Sequence, residues 1–210
     1  MIKKIAHRGY SEKYGDNNLI SFQKAFENDF NYIELDIQLN KDNNIVIFHD
    51  IYFEDKLISE YTTEETKLLN IVCLLDFFRE FDYKNKNLIF DLKGNDNLCE
   101  ILIEFLENHK IKTNNIIFVS YNVNHLSILK NKNLNLGYIT SNNYLNNELI
   151  NFLSDIKYIL IDFNIISENF INKLKKLNKI IYSFTIHNKY ELNIIKKYNI
   201  DGIISNIKIE

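Results

Sequence analysis

The sequence predicts an α/β fold built on a parallel sheet, and three observations carry that prediction. Short apolar runs alternate with amphipathic stretches from one end of the chain to the other. No linker, low-complexity tract or shift in composition interrupts the alternation. The length of 210 residues suits one hydrophobic core. Residues 1–210 are therefore expected to form a single domain.

In chain order, the strand-like runs are Lys3–Ala6, Tyr32–Leu39, Ile45–Phe48, Leu88–Leu92 and Ile116–Val119. Leu136–Thr140, Tyr158–Phe163, Ile180–Phe184 and Gly202–Ser205 follow. Each is a short run of the length expected for a buried strand. Between them lie stretches with helical spacing. Leu19–Asn28 puts Leu19, Phe22 and Phe26 on one face, and Leu98–His109 does the same for Leu98, Leu102, Phe105 and Leu106. Asn169–Leu177 aligns Phe170, Leu174 and Leu177; Tyr190–Tyr198 aligns Leu192, Ile195 and Tyr198. An open doubly wound sheet satisfies the same alternation. Nine runs exceed the eight staves of a barrel, so on a barrel one run must lie outside the wall.

Composition narrows the function classes. Hydrophobic residues make up 46% and charged residues 25%, an ordinary globular balance that disfavours disorder. The net charge is −3 and lysines are scattered among acids, which disfavours nucleic acid as the main partner. Cys73 and Cys99 belong to no C-x-x-C pair and read as two buried, reduced thiols. Met1–Ala6 is too short for a signal peptide, and no apolar run approaches the ~20 residues that span a bilayer. A soluble cytoplasmic protein is the expectation.

Chemistry concentrates in a few places. Within Tyr32–Gln38, strand alternation puts Glu34, Asp36 and Gln38 on one face and Ile33, Leu35 and Ile37 on the other. The apolar face is expected to meet helices. Two carboxylates roughly 7 Å apart along a strand repel unless a positive charge intervenes, and a divalent cation with hard oxygen ligands answers that need. His7 follows the first run and His49 the third. In a parallel α/β fold both would fall at C-terminal strand ends, where active sites collect. Imidazole suits proton transfer near neutral pH. Arg8 is one of two arginines, with Arg79, and its planar fork suits phosphate. Asp91 and Lys93 share a face at the end of the fourth run, as a third ligand and a phosphate partner.

The ordered set His7-Arg8-Gly9, Asn17, Glu34-x-Asp36 and His49-Asp50 resembles the signature of the glycerophosphodiester phosphodiesterase family. Leu57–Leu69, Asp91-Leu92-Lys93, Ser120-Tyr121, Phe184-Thr185-Ile186 and the closing Asp201-Gly202-Ile203-Ile204-Ser205 resemble its later motifs in order. The resemblance implies a (β/α)8 TIM-type barrel with parallel strands, its active site at their C-terminal ends. It implies a divalent metal ion, Ca2+ or Mg2+, and hydrolysis of a small-molecule glycerophosphodiester to glycerol 3-phosphate and an alcohol. Carried over by position, the metal ligands are Glu34, Asp36 and Asp91, the catalytic acid–base pair is His7 and His49, and Arg8 and Lys93 hold phosphate oxygens. The resemblance leaves open which histidine is the acid. It also leaves open whether water or the glycerol 2-hydroxyl attacks.

Three positions depart from the family pattern. Gly15-Asp16-Asn17-Asn18 stands where Pro-Glu-Asn-Thr is usual, Asp91 replaces a common Glu, and Phe184 replaces Trp. The shorter Asp91 sits back by about 1.5 Å, one bond length, which leaves room for a bridging water. Two alternative functions remain on the sequence alone. One is a lysophospholipase D-type phosphodiesterase, suggested by Ile51, Tyr52, Phe53, Leu57 and Ile58 after His49. The other is a non-catalytic barrel that binds phosphorylated ligands, which the histidine pair disfavours. His109, His125 and His187 read as surface or loop residues.

Overall fold

A computed structural model describes residues 2–209; Met1 and Glu210 lie outside the described residues. Eight strands form the barrel wall. They are β1 (Lys3–Ala6), β2 (Tyr32–Leu39), β3 (Asn87–Leu92), β4 (Ile116–Ser120), β5 (Asn135–Thr140), β6 (Tyr158–Asp162), β7 (Ile180–Ile186) and β8 (Gly202–Ser205). Every neighbouring pair is parallel, and β1 pairs with both β8 and β2, which closes the sheet. The closed barrel excludes the open doubly wound alternative.

The surplus run is Ile45–Ile47. It pairs antiparallel to the end of β2, with Ile37 opposite Ile47 and Leu39 opposite Ile45, and so lies outside the parallel wall. The expectation that His49 ends a parallel strand is therefore corrected. A tight reversal at Asn40–Asn44 causes the difference. Asn40 Oδ1 accepts from the backbone N–H of Asp42 and Asn44, and Asn43 takes a left-handed φ of 59°. The returning chain brings Phe48 N to 3.0 Å from Asp36 O. His49 thus reaches the barrel mouth from the opposite direction.

Strand alternation divides the apolar residues into two cores. Ile5, Ile89, Ile117, Val119, Ile139, Leu160, Tyr182 and Ile204 point inward and pack the barrel interior. Ile33, Leu35, Ile37, Leu88, Phe90 and Phe118 point outward and meet the helices, as expected for the apolar face of β2. The four expected helices form as Leu19–Glu27, Asn97–Asn108, Glu168–Lys176 and Lys189–Ile195. Asn18 caps the first, accepting from Ser21 N at 2.9 Å while Ser21 Oγ accepts from Asn18 N. Leu19 corrects the expected apolar face, being 38% exposed while Phe22 and Ala25 are fully buried. It is the first residue of the helix. Cys73 is half-buried rather than buried, and Cys99 is buried; both are free thiols.

Candidate active site

The register of the strands assembles the site. Asp36 lies level with Asp91 across the β2–β3 pair, and both continue the inward-facing positions of their strands. Adjacent strands sit about 4.8 Å apart, so the two carboxylates meet side by side, with Glu34 one inward position below Asp36. Ligand oxygens of Glu34, Asp36 and Asp91 all fall within 4.8 Å of one another. The three residues are 4%, 1% and 8% exposed.

On the opposite side of the seam, β1 and β8 pair Ile5 with Ile204 and Ala6 with Ser205. The next inward positions are His7 and Asn206. A small cavity of about 30 Å³ at the top of the barrel interior is lined by His7, Glu34, Asp91, Val119, Ile139, Leu160, Phe184 and Ile204. That is room for about one water or ion.

Two cations balance the acids. Arg8 Nη1 donates to Asp16 Oδ2 at 2.7 Å, and its Nε lies 3.2 Å from Asp36 Oδ2. Lys93 Nζ lies 2.6 Å from Asp91 Oδ2 and 3.2 Å from Asp36 Oδ1. Asn17, buried, donates to Asp36 Oδ2 at 2.8 Å. The backbone N–H of Arg8 donates to Glu34 Oε2 at 2.8 Å. That contact requires a left-handed Arg8 (φ 56°), followed by Gly9 at φ 79°. Only glycine fits at position 9, because a Cβ would lie 2.5 Å from Ser21 Oγ and 2.8 Å from the Ser21 carbonyl carbon.

The charge balance is uneven. Burial pushes Glu34 well above the carboxylate range, and Asp36 and Asp91 add to the rise. Burial pushes Asp91 up to about 7 despite Lys93 beside it. Asp36 goes the other way: burial would raise it, but Lys93 and Arg8 hold it below its ordinary value. Burial would lower Lys93, yet Asp91 and Asp36 raise it. Asp91 Oδ1 is buried with no hydrogen-bond partner among the described residues. Three carboxylates against two cations, with one oxygen unmatched, fit the oxygen-ligand chemistry of a hard divalent cation.

The histidines differ. His7 is held down at about 4 by burial and by the Arg8 guanidinium. Its Nδ1 lies 2.6 Å from Asn206 Oδ1. His49 is more open, with Nδ1 2.6 Å from Asp50 Oδ1. All seven residues expected at the site therefore gather at one end of the barrel. The sequence reading left out Asp16, Asn17 as a partner of Asp36, and the pair Asn206 and His187. Asn206 carried a legible signal, since it lies one inward step beyond β8. His125 corrects its expected surface position: it is 1% exposed, with Nδ1 3.0 Å from Ser120 Oγ and Nε2 3.1 Å from Asn95 O. His109 and His187 are exposed as expected.

Comparison with known proteins follows the same outline. Residues 7–72 match the Glycerophosphoryl diester phosphodiesterase family. A glycerophosphodiester phosphodiesterase of Bacillus altitudinis is 38% identical over 72 residues, 32% of this chain and 29% of the relative. One from Caldanaerobacter subterraneus is 37% identical over 71 residues, 31% of this chain and 29% of the relative. The aligned stretches thus span under a third of these relatives. The glycerophosphodiester phosphodiesterase of Thermotoga maritima shares the fold at TM-score 0.82 and 24% identity, over 98% of this chain and 95% of that one. A phosphodiesterase of Oleispira antarctica, solved with the product sn-glycerol-3-phosphate, superposes at TM-score 0.85 and 21% identity, over 97% and 92%. Over residues 7–72 the chain is thus similar to the glycerophosphoryl diester phosphodiesterase family, and over nearly its whole length it shares the barrel fold of the solved structures.

Proposed function

We propose that this chain hydrolyses glycerophosphodiesters to glycerol 3-phosphate and an alcohol, with a divalent cation, Ca2+ or Mg2+, held by Glu34, Asp36 and Asp91. The observation that carries the reading is the buried carboxylate triad at the barrel mouth, flanked by two histidines and two cationic side chains. The product bound to the Oleispira relative supports the same substrate class. A cation held at the triad would offset charge developing on the phosphate oxygens. Arg8 and Lys93 stand beside the same carboxylates and add positive charge for those oxygens. His7 and His49 form the acid–base pair: one takes the proton of the attacking hydroxyl, and the other gives a proton to the leaving alkoxide. Two unpaired cysteines are in keeping with a cytoplasmic setting.

The test is a turnover assay on glycerophosphocholine and on lysophosphatidylcholine, run with chelator-stripped protein and again after adding back Ca2+ or Mg2+. The expected result is glycerol 3-phosphate from glycerophosphocholine, abolished by the chelator and restored by a cation. Full activity in excess chelator overturns the metal assignment. Turnover of lysophosphatidylcholine alone would transfer the activity to the lysophospholipase D class.

A further inference from the structure

Beyond β8, Asn206 stands between two histidines from different strand ends. Its Oδ1 lies 2.6 Å from His7 Nδ1 and accepts from Ser11 Oγ at 3.2 Å. Its Nδ2 lies 3.0 Å from His187 Nδ1. The backbone on either side is pinned: Asn206 N donates to Ile186 O at 3.0 Å, and His7 N donates to Ser205 O at 3.1 Å. His187 is anchored in turn, its backbone N–H donating to Glu191 Oε2 at 2.7 Å.

An amide oxygen only accepts and an amide NH2 only donates. With Oδ1 toward His7, the His7 Nδ1 must carry the proton, and Nε2 is left as the ring's basic nitrogen. With Nδ2 toward His187, the His187 Nδ1 must present its lone pair. His187 and Ser11 together hold the amide in that orientation, one accepting from its nitrogen and the other donating to its oxygen. We propose that Asn206 is a positioning residue, held by His187, that fixes His7 as the Nδ1–H tautomer and thereby makes His7 the proton acceptor of the catalytic pair. The catalytic half of this inference rests on the diesterase reading above; the tautomer half does not.

In the step, His7 Nε2 takes the proton from the attacking hydroxyl as its oxygen bonds to phosphorus. The bond to the leaving oxygen breaks, and that oxygen takes a proton from His49. The His49 ring is held by its own partner, with Nδ1 2.6 Å from Asp50 Oδ1. A histidine whose second nitrogen is held by a hydrogen bond keeps one tautomer and one ring orientation. Loss of such a partner typically costs roughly 10- to 100-fold in activity.

The experiment reads the tautomer directly by long-range 1H–15N correlation of the histidine rings at neutral pH, with His7 assigned from His7→Gln. The expected spectrum has His7 neutral and protonated at Nδ1. Asn206→Leu should mix the two neutral tautomers, and His187→Ala should do so to a lesser degree. Asn206→Asp, which keeps an acceptor toward His7, should retain the Nδ1–H form. On glycerophosphocholine, Asn206→Leu should lower kcat by about 10- to 100-fold with little change in KM, and Asn206→Asp should recover most of that loss. His7 found protonated at Nε2 in the wild-type chain, or unmoved by Asn206→Leu, overturns the proposal. A correct tautomer in a chain that turns over no diester overturns the diesterase reading and leaves the positioning role standing.

Discussion

The two halves of the barrel wall are built alike and finished differently. Strands β1, β2 and β3 end in His7 and Arg8, in Glu34 and Asp36, and in Asp91 and Lys93. β4 and β5 are followed by residues 121–122 and 141–146, which include no Lys, Arg, Asp or Glu, and β6 ends in a single acid, Asp162. Inward positions of the second half are Ile117, Val119, Ile139 and Leu160, all buried. The charged half gathers groups that repel or need neutralising, so it stores electrostatic cost where the proposed phosphate and cation would bind. The second half, with Asp162 its one acid at a strand end, gathers apolar contacts and supplies stability and a wall. Function and stability are thus partly separated around one ring.

That separation is easiest to break through the histidines. His7→Ala and His49→Ala are each expected to lower kcat by about 10²–10⁴, the usual worth of general acid–base help, or roughly 3–5 kcal/mol of barrier. Neither should lower the melting temperature appreciably. A substrate with a p-nitrophenolate leaving group needs little protonation, so it should largely spare His49→Ala and leave His7→Ala impaired. Near-normal rates on glycerophosphodiesters in both variants would show that these residues only shape the mouth.

The apolar half should answer in the opposite way. Ile117 is 2% exposed inside the barrel. Ile117→Ala is expected to cost about 2–5 kcal/mol of stability, or roughly 4–20 °C in melting temperature for a chain of this size. The rate per folded molecule should stay within a few-fold. A large loss of kcat in well-folded Ile117→Ala would end the separation of the two halves.

The smallest effect concerns Asp91 in metal-free protein. Its carboxyl is held at about 7 in the folded chain against an ordinary 3.8. Between those values the native state binds more protons than the unfolded chain, so this group makes stability fall as pH rises. His7, held at about 4 against 6.5, acts in the opposite sense across its own window. The difference between wild type and Asp91→Asn isolates the carboxylate. In thermal denaturation with chelator, Asp91→Asn should gain on the wild type as pH rises from 4 to 7. Saturating Ca2+ should reverse that gain, because ligand binding to the native state stabilises it by mass action. A difference that stays flat with pH would mean Asp91 ionises normally.

Much of this was legible in the chain. The alternation of Ile33, Leu35 and Ile37 with Glu34 and Asp36 requires only strand geometry, and the two sets duly face the helices and the barrel mouth. The helix Leu19–Glu27 was marked by its spacing. His125 was misread because its environment is nonlocal: Ser120 and Asn95 reach it from the ends of neighbouring segments. Leu19 was misread because periodicity describes a helix but not how far its partner surface extends.

The sequence by itself determined which residues can do chemistry and which strand face each occupies, because alternation in a strand is a local property of the backbone. It also determined that one of nine runs had to lie outside an eight-strand barrel. Only the tertiary structure decided which run that was, since antiparallel return after Asn40–Asn44 depends on pairing with β2 rather than on the composition of Ile45–Ile47. It alone decided that Asp36 stands level with Asp91 and that Asn206 stands beside His7. Register between strands far apart in sequence is set by closing the barrel, and closure is a condition on the whole ring that no single segment contains.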